Sequence, residues 1–260
     1  MNTDPYAALA RYYDAETVGT IYDLPAYARL AERFGGPALD VGCGTGRIGL
    51  ALAEKKLRVV GVDTSEPMLA RARARATQEK VDASRVVFLM ADVTSLELDE
   101  KFGLAIFAYN GFMHLLEQKQ QIAALERIAA HLKPGGGLAI DLPNPVEMFR
   151  MEDTPNVVFE RTFDDPETGE MVMQQSVASV NRATQMMSVT WIYDRISVDG
   201  VVHRHIVPLT LRYTMAAEMR LMLKLAGLDQ VETSGDYDFS PYEEDSPRLL
   251  IIATKAGETS

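Results

Sequence analysis

Residues 39–46 read Leu39-Asp40-Val41-Gly42-Cys43-Gly44-Thr45-Gly46. A buried strand ends in alternate glycines and turns into a helix. Glycine permits such a tight turn and lets a ligand approach the backbone. Dinucleotides use a related turn, with the spacing Gly-x-Gly-x-x-Gly. Here Arg47 holds the last position of that pattern, and the third glycine comes one residue early, at Gly46. Asp40 adds an electrostatic objection, because a carboxylate beside the turn repels a pyrophosphate and suits an ammonium group. On this stretch alone, a turn that merely packs helix on strand stays open.

Outward from the turn, strands and helices alternate. Strand 37–41 leads to helix 46–56, and strand 58–62 leads to a helix that Ser65 caps and Pro67 opens. Strands 86–90 and 104–109 follow. Ile122, Leu125, Ile128, Ala129 and Leu132 then recur at helical spacing over 118–132, until Lys133-Pro134-Gly135-Gly136-Gly137 stops the helix before strand 137–142. Continuous apolar strands between helices predict a parallel sheet buried on both faces. Upstream, 5–34 reads as helical. Near residue 155 the rhythm changes. Segments 157–163, 170–180, 185–197 and 201–212 have strand composition, and Asp199-Gly200 predicts a type I′ hairpin. A helix at 215–226 and strands 228–234 and 248–254 return to the main sheet. The expected organisation is a helical cap (1–35), an α/β domain (36–145 and 214–260), and an inserted antiparallel sheet (146–213) that serves as lid and acceptor wall.

Two more acids stand at strand ends. Asp63 ends Val59-Val60-Gly61-Val62, about 20 residues past the glycines, where an acid can accept both hydroxyls of a ribose. A helix cap is the plainer alternative, but Ser65 already fills that role. Asp92, after Met90-Ala91, can accept a hydrogen bond from an adenine amino group, although Asp after a strand is also common turn chemistry. Three acids at three successive strand ends make a crevice at the carboxyl edge of the sheet, where open α/β sheets bind ligands.

These motifs, together with LKPGGGLAIDL, resemble those of class I S-adenosylmethionine-dependent methyltransferases, strongly over residues 10–145 and more loosely over 210–255. The resemblance implies a Rossmann-like, seven-stranded, mostly parallel sheet with a reversed last strand. It implies S-adenosyl-L-methionine as cofactor. Asp40 suits its α-ammonium group. Gly42 and Gly44 would line its methionine part, with the backbone of Ala108. Asp63 and Thr64 would hold the ribose, and Asp92 and Val93 would flank the adenine. Tyr13-Asp14 resembles the Tyr-Asp pair of small-molecule members, whose tyrosine covers the cofactor. The family often has an acid where this chain has Gly103, a departure read as structural.

The acceptor side is less legible. Tyr109-Asn110-Gly111-Phe112-Met113-His114 resembles a strand-end loop of amino-sugar N-methyltransferases, and His114 is the candidate base, with a capping or packing role as the alternative. Asn110, Asn144, Trp191, Tyr193 and Tyr242 are candidate acceptor contacts. His203 and His205 alternate on a predicted strand without a third ligand, so no metal is expected. The net charge of −11 argues against nucleic-acid and anionic-membrane partners. The single cysteine, Cys43, excludes an internal disulfide. The first residues carry no apolar signal segment, and no apolar run reaches about 20 residues. A cytoplasmic enzyme with a small-molecule acceptor is expected, and a homodimer is allowed. Two other readings stay open: a catalytically silent S-adenosylmethionine-binding interaction module, and a nicotinamide-dependent oxidoreductase.

Overall fold

The computed structural model describes residues 4–16, 22–152 and 156–257. Its main sheet is built from β1 (Ala38–Val41), β2 (Val59–Asp63), β3 (Val86–Met90), β4 (Phe102–Phe107), β5 (Leu132–Pro143), β10 (Leu228–Ser234) and β11 (Arg248–Lys255). The strand order is β10-β11-β5-β4-β1-β2-β3, and β11 alone runs against its neighbours. This is the expected seven-stranded sheet with a reversed last strand. The order reverses between β1 and β4, which opens a crevice at their carboxyl ends.

Both faces of the sheet are covered. Helices α2 (Leu24–Phe34), α3 (Arg47–Glu54) and α4 (Glu66–Gln78) bury Leu30, Leu52 and Leu69 on one face. Helices α5 (Gln118–His131) and α7 (Ala216–Leu225) bury Leu125, Ile128 and Leu223 on the other. Gly103 lies under the end of α2, where a Cβ would meet the Gly35 carbonyl oxygen at 2.5 Å. An acid at that position would force the helix off the sheet.

The insertion is an antiparallel sheet of β6 (Val157–Asp164), β7 (Met171–Asn181), β8 (Met186–Ile196) and β9 (Val202–Arg212), in that order. A short helix α6 (Glu147–Arg150) leads into it. The hairpin at Asp199-Gly200 is present, but its turn is not type I′. Only Gly200 has a left-handed φ, at 82°, and its N–H donates to the Ser197 carbonyl, so a common turn followed by a left-handed glycine joins the strands.

The helical stretch before residue 35 also divides differently from expectation. Helix α2 belongs to the α/β core, whereas α1 (Tyr6–Glu16) docks on the inserted sheet. Leu9 and Tyr12 of α1 pack with Val172, Tyr193 and Val207, and Arg11 pairs with buried Asp165 at 2.7 Å. Residues 17–21, within the predicted helical stretch, lie outside the described residues. Strand β5 begins at Leu132, earlier than the glycine run suggests, because Leu132 already pairs with Phe102. Among the described residues, no helix is long and apolar enough to cross a membrane.

Candidate cofactor and acceptor site

The crevice holds a cavity of about 620 Å³. That volume lies within the range of about 300–1,000 Å³ usual for small-molecule sites. Its floor is the glycine turn. Gly42, Gly44 and Gly46 all adopt left-handed φ, at 63°, 54° and 79°. A Cβ on Gly46 would meet the Phe88 ring at 2.6 Å, so this position is closed to side chains by packing as well as by conformation.

The three acids are held in different ways. Asp63 accepts the Gly44 N–H on Oδ2 and the Ser65 N–H on Oδ1, each at 2.8 Å. Burial raises its pKa, and the backbone donors partly oppose that rise. Asp92 accepts the backbone N–H and the hydroxyl of Thr94, both on Oδ1. Asp40 is buried and accepts the Gly49 N–H at 3.0 Å. Burial pushes its pKa up to about 7. Beside the turn, Arg47 donates to both carboxylate oxygens of fully buried Asp23, each at 2.6 Å.

Helix α1 closes the cavity from above. The Thr45 hydroxyl donates to Asp14 at 2.6 Å, and the Ser65 hydroxyl donates to Asp4 at 2.6 Å. Tyr6 and Tyr13 therefore line the cavity, their rings edge to face at 6.4 Å. At the far end, the short 3₁₀ turn Gly111–His114 brings His114 Nε2 to 2.9 Å from the Tyr6 hydroxyl. The His114 ring is open to the cavity and surrounded by protein on its other sides, and that burial lowers its pKa to about 4. Burial also raises the Tyr6 hydroxyl well above the usual phenol range.

The loop that carries His114 is anchored from beneath. Tyr109 and Asn110 both adopt left-handed φ, at 46° and 66°, a costly conformation for residues with a Cβ. Fully buried Asp141 accepts the Tyr109 N–H at 3.0 Å, the Tyr237 hydroxyl at 2.7 Å and the Arg248 guanidinium at 2.6 Å. Arg248 also donates to Asn110 Oδ1 at 2.7 Å.

Residues 38–136 match a family described as methyltransferase domain. The chain is 32% identical over 219 residues to the cypemycin N-terminal methyltransferase of a Streptomyces species, covering 84% of this chain and 82% of that protein. The chain belongs to the S-adenosylmethionine-dependent methyltransferases. Among solved structures, the CcbJ methyltransferase of Streptomyces caelestis superposes with a TM-score of 0.76 at 25% identity, over 91% of this chain and 90% of that one. CalS10, an amino pentose methyltransferase from Micromonospora echinaspora, shares the fold, with a TM-score of 0.71 at 21% identity, over 94% and 96%. The nicotinamide reading falls with this membership.

In this methyltransferase the cavity gathers Tyr13, Asp40, Gly42, Gly44, Asp63, Thr64, Asp92, Val93, Ala108 and His114 on one wall system. The other acceptor candidates lie off it. Asn144 donates to the carbonyls of Glu244 and Ser246 and accepts the Tyr242 hydroxyl at 2.7 Å, so both side chains tie the 242–246 loop to the end of β5. Asn110 faces Arg248. Tyr193 stacks on Tyr12 at 5.2 Å, and half-buried Trp191 packs against the same cluster under α1. The inserted sheet reaches the cavity through Pro208, Leu209 and Thr210 of β9 instead. Tyr6, Arg47, Leu115, Leu116 and Gln120 also line it and escaped sequence reasoning. Arg47 directly follows the glycine turn, a signal that was available. The others are marked only by folding.

The position of Asp40 carries a pH prediction. Its raised pKa means that near pH 7 the acid is only partly ionised. An arriving ammonium group favours the carboxylate. Binding of S-adenosylhomocysteine should therefore release part of a proton and tighten from about pH 6 to about pH 8. Calorimetry in buffers of different ionisation heat measures the release. An Asp40→Asn protein that releases the same proton would remove Asp40 from the cofactor site.

Proposed function

We propose that this methyltransferase acts on the nitrogen of a small amine, with His114 and Tyr6 at the acceptor end of the cavity. The observation that carries this reading is the 2.9 Å contact between His114 Nε2 and the Tyr6 hydroxyl, in the same cavity as the glycine turn and the three acids. Two relatives that methylate nitrogen support this reading. Besides the cypemycin N-terminal enzyme, the chain resembles a dTDP-3-amino-3,6-dideoxy-α-D-glucopyranose N,N-dimethyltransferase of Streptomyces fradiae, 34% identical over 46% of this chain and 44% of that protein.

S-adenosylmethionine, when bound, supplies an electrophilic methyl group on a sulfonium. The donor set in the cavity fits it. Gly42, Gly44 and Ala108 would offer backbone to the methionine part, with Tyr13 and Asp40 lining the same end of the cavity. Asp63 and Thr64 would hold the ribose, and Asp92 and Val93 the adenine. The remaining tasks are to align the acceptor, exclude water and keep a nitrogen lone pair uncharged. Helix α1 and buried Leu209 would shield the reacting atoms from water. His114 is neutral at pH 7, because burial keeps it unprotonated; with its Nε2–H donating to the Tyr6 hydroxyl oxygen, Nδ1 is left to accept a hydrogen bond from the acceptor N–H. The Tyr6 hydroxyl fixes the ring in that direction.

S-adenosylhomocysteine formation with a set of small primary and secondary amines tests this reading. Transfer to amines and not to matched alcohols is expected. Transfer to alcohols alone would shift the reading to oxygen. Tight cofactor binding with no transfer to either would favour a silent binding module.

A further inference from the structure

The acceptor half of the cavity has an unusual charge pattern. Leu115, Leu116 and Gln120 line it together with Pro208, Leu209 and Thr210 of β9. Among the described residues, Arg47 is the one Lys or Arg on the cavity wall, and it lies at the glycine turn with Asp23 across both of its terminal nitrogens. The residues outside the description are 1–3, 17–21, 153–155 and 258–260, and their sequence contains no Lys, Arg or His. Four carboxylates line the same cavity: Asp4, Asp40, Asp63 and Asp92.

A helix N-terminus could replace a cation as an anion binder, through its free N–H groups. The helix end that borders the acceptor half is that of α5. It is already closed by an acid, because the Glu117 side chain accepts the backbone N–H of Gln120, whose own side chain accepts the Glu117 N–H at 3.1 Å. A phosphate or carboxylate in this half would therefore meet apolar and neutral walls, in a cavity whose other charged groups are mostly acids, with no Lys or Arg to pair with. Burying an unpaired anion in such a setting is costly. The same field favours a positively charged sulfonium and an amine.

We propose that the acceptor is an amine set in an apolar framework that carries no phosphate or carboxylate near the reacting nitrogen, such as the amino end of an apolar peptide or a hydrophobic cyclic amine. Nucleotide-linked amino sugars fall outside this class. The apolar body packs on Leu115, Leu116 and Leu209. The Thr210 hydroxyl and the Gln120 amide offer neutral hydrogen bonds to its polar atoms. This proposal rests on the nitrogen reading above.

The test uses the full chain with labelled S-adenosylmethionine and three probes: an alanyl-leucyl peptide amide, the same peptide with phosphoserine in place of leucine, and a dTDP-linked 3-amino sugar. The expected result is kcat/KM for the apolar amide at least tenfold above either anionic probe. Leu116→Lys supplies the missing cation and should narrow that ratio at least threefold, with S-adenosylhomocysteine affinity unchanged. Equal or better turnover of the phosphorylated or nucleotide-linked probe would overturn the proposal and leave nitrogen methylation standing. No transfer to any of the three amines, with S-adenosylhomocysteine still bound, would overturn both. A Leu116→Lys protein that binds S-adenosylhomocysteine normally and keeps the parental ratio would also count against the proposal, because the wall would then not be reading charge.

Discussion

Replacing Asp63 with alanine should weaken S-adenosylhomocysteine binding by roughly 10- to 150-fold, equivalent to about 1.5–3 kcal/mol, the cost expected for losing hydrogen bonds to a charged group. The carboxylate is fixed before any ligand arrives, since the Gly44 and Ser65 N–H groups hold its two oxygens. A preset acceptor binds ribose hydroxyls with little further ordering, which is why the expected loss sits at the upper end for hydrogen bonds. Alanine also leaves both N–H groups without their partner, so some loss of thermal stability should accompany the change. Asp63→Asn separates the two effects, because the amide oxygen can still accept one of the N–H groups while the charge is gone. Titration calorimetry on proteins first shown to be folded gives the answer. Parental affinity in the alanine protein would remove Asp63 from the ribose site.

Replacing His114 with alanine should lower turnover on an amine by roughly 10²-fold or more at neutral pH, with little change in cofactor affinity. The structure sharpens what pH should do. Burial lowers the His114 pKa from 6.5 to about 4, so the folded protein keeps the ring neutral where the unfolded chain already binds a proton. Its contribution to stability is therefore present above about pH 6.5 and is lost as pH falls toward about 4. The alanine protein should show a shallower acid slope in its melting temperature across that window. On the activity side, a ring with so low a pKa is a poor base for an ammonium group but stays neutral, so it remains available as a hydrogen-bond acceptor. If it takes the proton of an ammonium acceptor, the deficit of the mutant should shrink as pH rises toward the amine pKa of about 10. If it only orients a neutral amine, the deficit should be independent of pH. Tyr6→Phe, which releases the ring, should show a smaller deficit of the same pH form. Parental turnover in the alanine protein at neutral pH would leave alignment by the remaining walls as the whole mechanism.

The glycine-turn end of the cavity was legible in the chain because each of its parts is local. Asp40, Gly42 and Gly44 share one strand–turn–helix unit, Asp63 closes the next strand and Asp92 the next. A parallel sheet with right-handed crossovers brings successive strand ends to one edge whatever else the chain does. The reversal of rhythm near residue 155 likewise announced the inserted sheet, since a side-chain period of two is a local property.

The end of the cavity at His114 had no such signal. Tyr6 and His114 meet across 108 residues, and Arg248 reaches Asp141 across 107. These contacts depend on how α1 lies over the inserted sheet and on how β11 pairs with β5. Alternation in β8 and β9 identifies strands without saying what their buried face will meet. That face was expected to present Trp191 and Tyr193 to the acceptor. It meets Leu9 and Tyr12 of α1, and only Pro208–Thr210 extend to the cavity. By itself, the sequence determined the sheet, the turn and the three acids, because backbone geometry and nearest-neighbour chemistry suffice for them. Only the tertiary structure decided which side chains line the other end of the cavity and with what charge, because that depends on packing between elements distant in the chain.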